Sequence, residues 1–216
     1  MLCFGLQAGH LEDRGEKELE RKNSRTHILN VARKLFLKQG YNGVSLREIA
    51  AAAGLTTGAV YHHFKNKKEI YNAICFEAGD MLVSLFHESE IHQDTPSKKL
   101  ISIYDSFISF FYRHRDYYNI LMEYKAEYSG GKGDNEDIIK KMAEVAGVVE
   151  PPILQGIDEG IFRTIDPKLL AMFLAAVSEG MLQYKKIGLF DYMGISDSDF
   201  RSFMYELVGR GIRSDP

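Results

Sequence analysis

Apolar residues recur at spacings of three and four along most of the chain, the period of amphipathic helices. Ile28, Val31, Ala32, Leu35 and Phe36 share one face of a first helix. The pattern predicts its start near Asn23, with Ser24 as a candidate N-cap, and its stop at Gly40. Ser45-Leu46-Arg47-Glu48 has the form of a capping box and opens a second helix, whose apolar face is Leu46, Ile49, Ala50 and Ala53. Gly54 ends it. A short third helix, capped by Thr56 or Thr57, runs to about His63. A long fourth helix starts after Lys65-Asn66-Lys67 and carries Ile70, Ile74, Met81, Leu82, Leu85 and Phe86 to His87 or beyond.

Gln93 to Ser97 reads as a loop, and Leu100, Ile103, Phe107, Ile108 and Phe111 mark a fifth helix. A sixth is expected from Asp116 to about Tyr128. After a glycine-rich stretch, a helix from about Glu136 to Val148 is interrupted at Pro151-Pro152 and resumes to about Glu159. Asp166-Pro167 supplies an N-cap followed by proline at the first helical position, opening a helix to about Lys186. The last is expected from Asp197 to Arg210. No window alternates with period two, so the fold class is all-α.

Composition narrows the setting. The chain has 216 residues, 45% apolar and 26% charged, enough to bury a core as one large domain or two small ones. Two cysteines, Cys3 and Cys75, give no disulfide framework and make a reducing, cytoplasmic compartment the natural one. The longest apolar run, Leu169 to Val177, is about half of what spans a bilayer, so no membrane role is expected. Residues 1–20 carry five acids and three glycines, do not read as a signal peptide, and are expected to be disordered or poorly ordered.

Charge changes the picture more. The net charge of −3 hides a strong asymmetry. Residues 21–75 hold ten bases and two acids, whereas residues 76–216 hold fifteen bases and twenty-three acids. A compact basic block inside an acidic chain is the footprint of a phosphate-backbone binder, although a solvated basic face gives the same count.

That block contains two short helices joined by a glycine turn from Ser45 to Phe64, a helix-turn-helix pattern. Small residues at the start of its second helix, Thr57, Gly58 and Ala59, would let the backbone approach base edges in a major groove. The bland alternative is an ordinary corner in a helical bundle.

The residues carrying this pattern resemble the DNA-binding domain of TetR-family transcriptional regulators. They are Ile28 to Phe36, Gly40-Tyr41, Ser45 to Ala50, Ala53-Gly54-Leu55, Gly58 to Phe64 and Lys65 to Glu69. Gly156 to Arg163, followed by Asp166-Pro167 and a long helix, resembles the family more weakly. The resemblance implies a helix-turn-helix domain over 21–68 and a helical ligand-binding and dimerisation domain over 69–216. It implies a homodimeric repressor that leaves a palindromic double-stranded DNA operator when a small-molecule inducer binds. By position, Arg47, Thr57, Gly58 and Ala59 would read bases, and Ser45, Tyr61, His62 and Lys67 would contact phosphate. Arginine suits guanine, small methyl-bearing side chains suit thymine, and hydroxyl and ammonium groups suit phosphate. Val60 and Phe64 are expected in the core. Thr57 stands where relatives often carry a longer polar residue.

Eight aromatics between Phe107 and Tyr128 could simply fill a core or could wall an apolar pocket. Candidate ligand contacts are Met81, Phe107, Phe111, Tyr118, Met122, Met172 and Glu179, for a largely apolar or aromatic inducer. The long apolar run of the penultimate long helix, with Phe203 and Leu207 on the last, exceeds what one domain needs. The last two long helices are therefore expected to pair with a second copy. The spacing of histidines and acids suggests no metal site, and no catalytic constellation or cofactor motif is found. The rival to a regulator is a carrier or small-molecule-processing protein that keeps the helix-turn-helix as mere structure. Such a protein has no need of the basic block.

Overall fold

The computed structural model describes residues 8–128 and 136–213, with side chains described from Leu19 to Tyr124 and from 136 onward. Among the described residues there are eleven helices and no strand: α1 (Ala8–Gln39), α2 (Leu46–Ala52), α3 (Thr57–Tyr61), α4 (Lys67–Glu90), α5 (Pro96–Arg113), α6 (Arg115–Tyr128), α7 (Glu136–Gly147), α8 (Glu150–Asp158), α9 (Pro167–Lys186), α10 (Leu189–Met193) and α11 (Asp197–Ile212). No helix among them is long and apolar enough to cross a membrane. The all-α expectation holds.

Several boundaries differ for physical reasons. The helix expected from Asn23 begins at Ala8, so Ser24 lies inside it and caps nothing. Residues 1–20 were expected to be disordered or poorly ordered; α1 begins within them, at Ala8, and the first seven lie outside the described residues. Leu11 to Lys22 is rich in Leu, Glu, Lys and Arg, good helix formers whose propensity outweighs the cost of Gly15. Pro96 and Ser97 belong to α5 rather than to the preceding loop, because Thr95 caps the helix and proline at the first position lacks only an N–H that would be orphaned anyway. Pro151 and Pro152 likewise open α8 instead of interrupting a longer helix. The short α10 was not expected.

The chain forms two compact units. The first takes the residues up to Glu77 and the stretch that begins at Asn119; the second takes Ala78–Tyr118 and the rest. The division falls within α4.

The first unit buries Ile28, Ala32 and Phe36 of α1, Ile49 of α2, Val60 of α3, Phe64, and Ile70 and Ile74 of α4. Tyr71 anchors an aromatic group within it. Its ring meets Phe36 edge-on at 5.1 Å, Tyr41 at 4.8 Å and Tyr124 in a stack at 5.7 Å. Its hydroxyl donates to the Ile120 carbonyl at 3.4 Å.

The second unit has two apolar clusters. Ile153, Phe162, Leu170 and Ile212 form one; Phe190, Phe200 and Met204 form the other. Asp166 caps α9 by accepting from the Lys168 and Leu169 N–H groups. Polar latches tie α5 to α11. Asp105 pairs with Arg201 and accepts from the Tyr205 hydroxyl at 2.6 Å, and Tyr112 donates to Asp197 at 2.5 Å.

Gly156 of α8 lies directly against the Phe162 ring, and a Cβ there would sit 2.1–2.8 Å from ring carbons. The chain folds back so that the Phe162 N–H donates to the Gly156 carbonyl at 2.9 Å, which leaves no room for relaxation. Gly156→Ala should therefore cost about 1–3 kcal/mol, read as a lower urea midpoint at unchanged slope.

Candidate nucleic-acid interface

The helix-turn-helix is set by its caps. Ser45 Oγ accepts from the Glu48 N–H at 3.2 Å, and the Glu48 carboxylate accepts from the Ser45 N–H at 2.7 Å. These bonds hold the exposed Glu48 carboxyl below its ordinary value, with Lys67 assisting. Gly54 ends α2 in the left-handed region at φ +67°, where L side chains are strained. The Leu55 N–H reaches the Ala50 carbonyl and the Gly54 N–H the Ala51 carbonyl, a Schellman closure. His27 of α1 bridges to the same end, its Nε2 donating to the Ala53 carbonyl at 3.1 Å.

Thr56, not Thr57, caps α3, accepting from the Ala59 N–H at 3.1 Å. Val60 and Phe64 are buried. Around them Gly58, Tyr61 and His62 are exposed, and Thr57 and Ala59 are half-buried. Ser45, the cap of α2, and Arg47 within α2 are exposed. The alternation of a buried hinge pair with an open polar face is what a groove-entering helix requires.

Lys67, expected on phosphate, also has a part in the fold. Its ammonium donates to the Tyr41 and Val44 carbonyls, both at 2.7 Å, and sits 4.3 Å from the Tyr41 ring centroid. Two of its three donors thus close the loop between α1 and α2. The sequence reading missed this because carbonyl acceptors have no sequence signature. It also passed over Asn66, whose Oδ1 accepts from the Glu69 N–H at 2.9 Å at the start of α4, although Asn three residues before Glu is a readable signal.

The ligand candidates separate. Phe107 and Phe111 of α5 pack on Tyr118, at 6.4 Å and, edge-on, 4.8 Å. Tyr118 is fully buried and its hydroxyl has no hydrogen-bond partner. Burial first, and the Glu179 carboxylate second, push its ionisation well above the ordinary tyrosine range. These four residues belong together in the second unit. Met81 is half-buried on α4, and Met122 belongs to the first unit. Met172 is a correction: it is 60% exposed, because α9 turns Leu170, Ala171, Ser178 and Leu182 inward instead. Cys75 is buried, which raises its thiol to about 12 and makes it a poor nucleophile. Among the described residues no cluster of three His, Cys, Asp or Glu side chains could hold a metal ion.

Residues 28–74 match the family of bacterial regulatory proteins designated tetR. Over that segment the chain is similar to TetR-family regulators. Over 55 residues it is 51% identical to the HTH-type transcriptional regulator AcrR of Shigella flexneri, 26% of each chain. It is 30% identical over 100 residues to the transposon Tn10 TetC protein of Escherichia coli, 46% of this chain and 50% of that one. The chain thus spans half or less of these curated relatives. The match to the HTH-type transcriptional repressor AcnR of Corynebacterium glutamicum is longer, 24% identical over 161 residues, 74% of this chain and 80% of that one. A tetR-family regulatory protein from Rhodococcus RHA1 superposes with a TM-score of 0.70 at 20% identity, covering 89% of this chain and 98% of the other. The ketosteroid transcriptional regulator of Mycobacterium tuberculosis gives 0.64 at 20% identity, covering 88% and 95%. Such structural likenesses extend the TetR fold beyond the matched domain.

The carbonyl clamp of Lys67 makes a measurable claim. Lys67→Ala should lower stability by on the order of 1–2 kcal/mol, since hydrogen bonds to a charged donor are lost. The salt dependence of DNA binding should stay unchanged, whereas loss of a phosphate contact would reduce its slope by about one.

Proposed function

We propose that the protein is a DNA-binding transcriptional repressor of the TetR type that leaves a near-palindromic operator when a small molecule binds. The observation that carries this reading is the capped helix-turn-helix with an open polar face, set in a segment of ten bases against two acids. Arg47 would read a base by a bidentate contact, with Thr57, Gly58 and Ala59 against base edges. Ser45, Tyr61 and His62 would position the helix on phosphates. A gel shift against the protein's own upstream DNA at two salt concentrations tests it. Salt-sensitive retardation is expected, and its absence would overturn the reading. Arg47→Ala should weaken operator binding by about 1–3 kcal/mol and relax preference at one base pair.

A palindromic operator needs a twofold protein. We assign the dimer face to α9 and α11, where Leu169, Met172, Phe173, Tyr184, Phe203 and Leu207 are all exposed. Exposed large apolar side chains in one such set are the mark of an interface. Paired substitution of Leu169 and Phe173 by Glu should convert a dimer into a monomer by sedimentation at micromolar concentration. An unchanged dimer would place the interface elsewhere.

The group formed by Phe107, Phe111, Tyr118 and Glu179 supports an apolar or aromatic inducer that offers an acceptor to the Tyr118 hydroxyl. α4 begins among the residues of the DNA-binding unit and continues past Glu77, so it is the element we assign to carry the signal. An inducer should weaken operator binding by roughly 5–150-fold, and operator DNA should weaken inducer binding by the same factor.

A further inference from the structure

One lysine stands on the inner side of α7. Ile138 is buried and Val145 lies beside Gly79 of α4. Lys141 comes three residues after the first and four before the second, so all three share one side of the helix. Its side chain is only 19% exposed. The reason is Gly79. A Cβ there would lie 2.7 Å from Lys141 Cγ and 2.8 Å from Cδ, so the lysine stem crosses α4 only because the glycine has none. At the end of the stem the ammonium donates to Asp80 Oδ1 at 2.7 Å and to Glu144 Oε2 at 2.6 Å. Those bonds, Asp80 first, hold the ammonium above its ordinary value, so it stays charged. Gly79 and Asp80 are the second and third residues of α4 that belong to the second unit. α7 itself packs on α8 and α9.

A glycine inside a helix is less stable than an alanine, so propensity alone disfavours Gly79. Both carboxylates are exposed, and exposed ion pairs contribute little to stability. An unfavourable glycine that admits a weakly stabilising tie is poorly explained by folding. It is explained by a need to hold α4 in one direction. We propose that Lys141 is a positioning residue for DNA binding: laid across Gly79 and tied to Asp80, it fixes α4 to α7 and sets the direction in which α4 leaves the second unit. This rests on the DNA-binding reading above, with α4 as the element that carries the signal. From Gly79 back to Lys67, α4 runs about 18 Å as one helix, so a small turn at the tie becomes a larger displacement where α4 begins. A twofold regulator must present its two recognition helices at one spacing. A fixed α4 has already given up orientational freedom that binding would otherwise remove, so the tie favours the DNA complex.

The test uses the full-length protein and a duplex of its own upstream DNA, read by fluorescence anisotropy at fixed salt. Lys141→Met keeps a stem across Gly79 and removes the charge. Gly79→Ala keeps the charge and displaces the stem. Each should weaken binding by about 2–30-fold, the range for residues that modulate coupling without touching either ligand. The double variant should lose no more than either single one, because the same tie is broken once. A merely structural contact would change the melting temperature and leave the affinity of the folded protein at its wild-type value. Circular dichroism checks that the variants fold. Should Gly79→Ala fail to fold, Asp80→Asn takes its place, since it removes the charge that the ammonium meets on α4. Wild-type affinity in either single variant, or additive losses in the double one, overturns the proposal. Failure of the wild type to bind upstream DNA at low salt would instead overturn the regulator reading, and this tie with it.

Discussion

A helix of five residues has no stability of its own in water, because its nucleation cost exceeds what its few hydrogen bonds return. α3 is such a helix. It persists because Val60, in its last turn, and Phe64, just beyond it, are almost completely buried, anchoring its C-terminal end in the first unit. Everything claimed for the groove-facing side chains depends on that anchorage. Thr56 fixes where α3 begins, Gly54 fixes the angle at which it leaves α2, and His27 of α1 holds the same corner. With the apolar side pinned, the opposite side is free to carry polar groups that contribute nothing to folding.

The second unit is organised differently. Its two apolar clusters are supplemented by polar links from α5 to α11, in which Asp105 serves Arg201 and Tyr205 together. Burial and the Asp105 charge push Tyr205 well above the ordinary tyrosine range, so it stays protonated and donates. Asp105 and Tyr112 are seven residues apart, two turns of α5, and so lie on one side of it. Phe107 and Phe111 pack instead on Tyr118. One helix thus carries aromatic packing and polar links to different neighbours.

Features that rest on local chemistry were legible in the sequence. The Ser45–Glu48 capping box, the Gly54 turn, and Asp166 ahead of Pro167 each use residues within one turn of one another, and each stands where the pattern put it. The burial of Val60 and Phe64 followed from helical spacing. What the sequence concealed depends on partners distant along the chain. The loop-closing bonds of Lys67 were hidden, because its partners are main-chain carbonyls more than twenty residues away. Met172 looked like a pocket residue because an apolar run of nine hides which side of α9 faces inward. The start of α1 was missed for another reason: a charged segment can be helical by propensity without showing an apolar face.

The contact of Gly156 with Phe162 bears on how this chain can diverge. The two positions are not independent sites for substitution. Any side chain at 156 collides while the ring is in place, whereas a smaller residue at 162 would open the space that a Cβ needs. A lineage can therefore lose the glycine only after it has lost the aromatic ring, and each step alone carries its own penalty. The order of the two changes is imposed by geometry, so the pair should be inherited together or exchanged together among descendants of this chain.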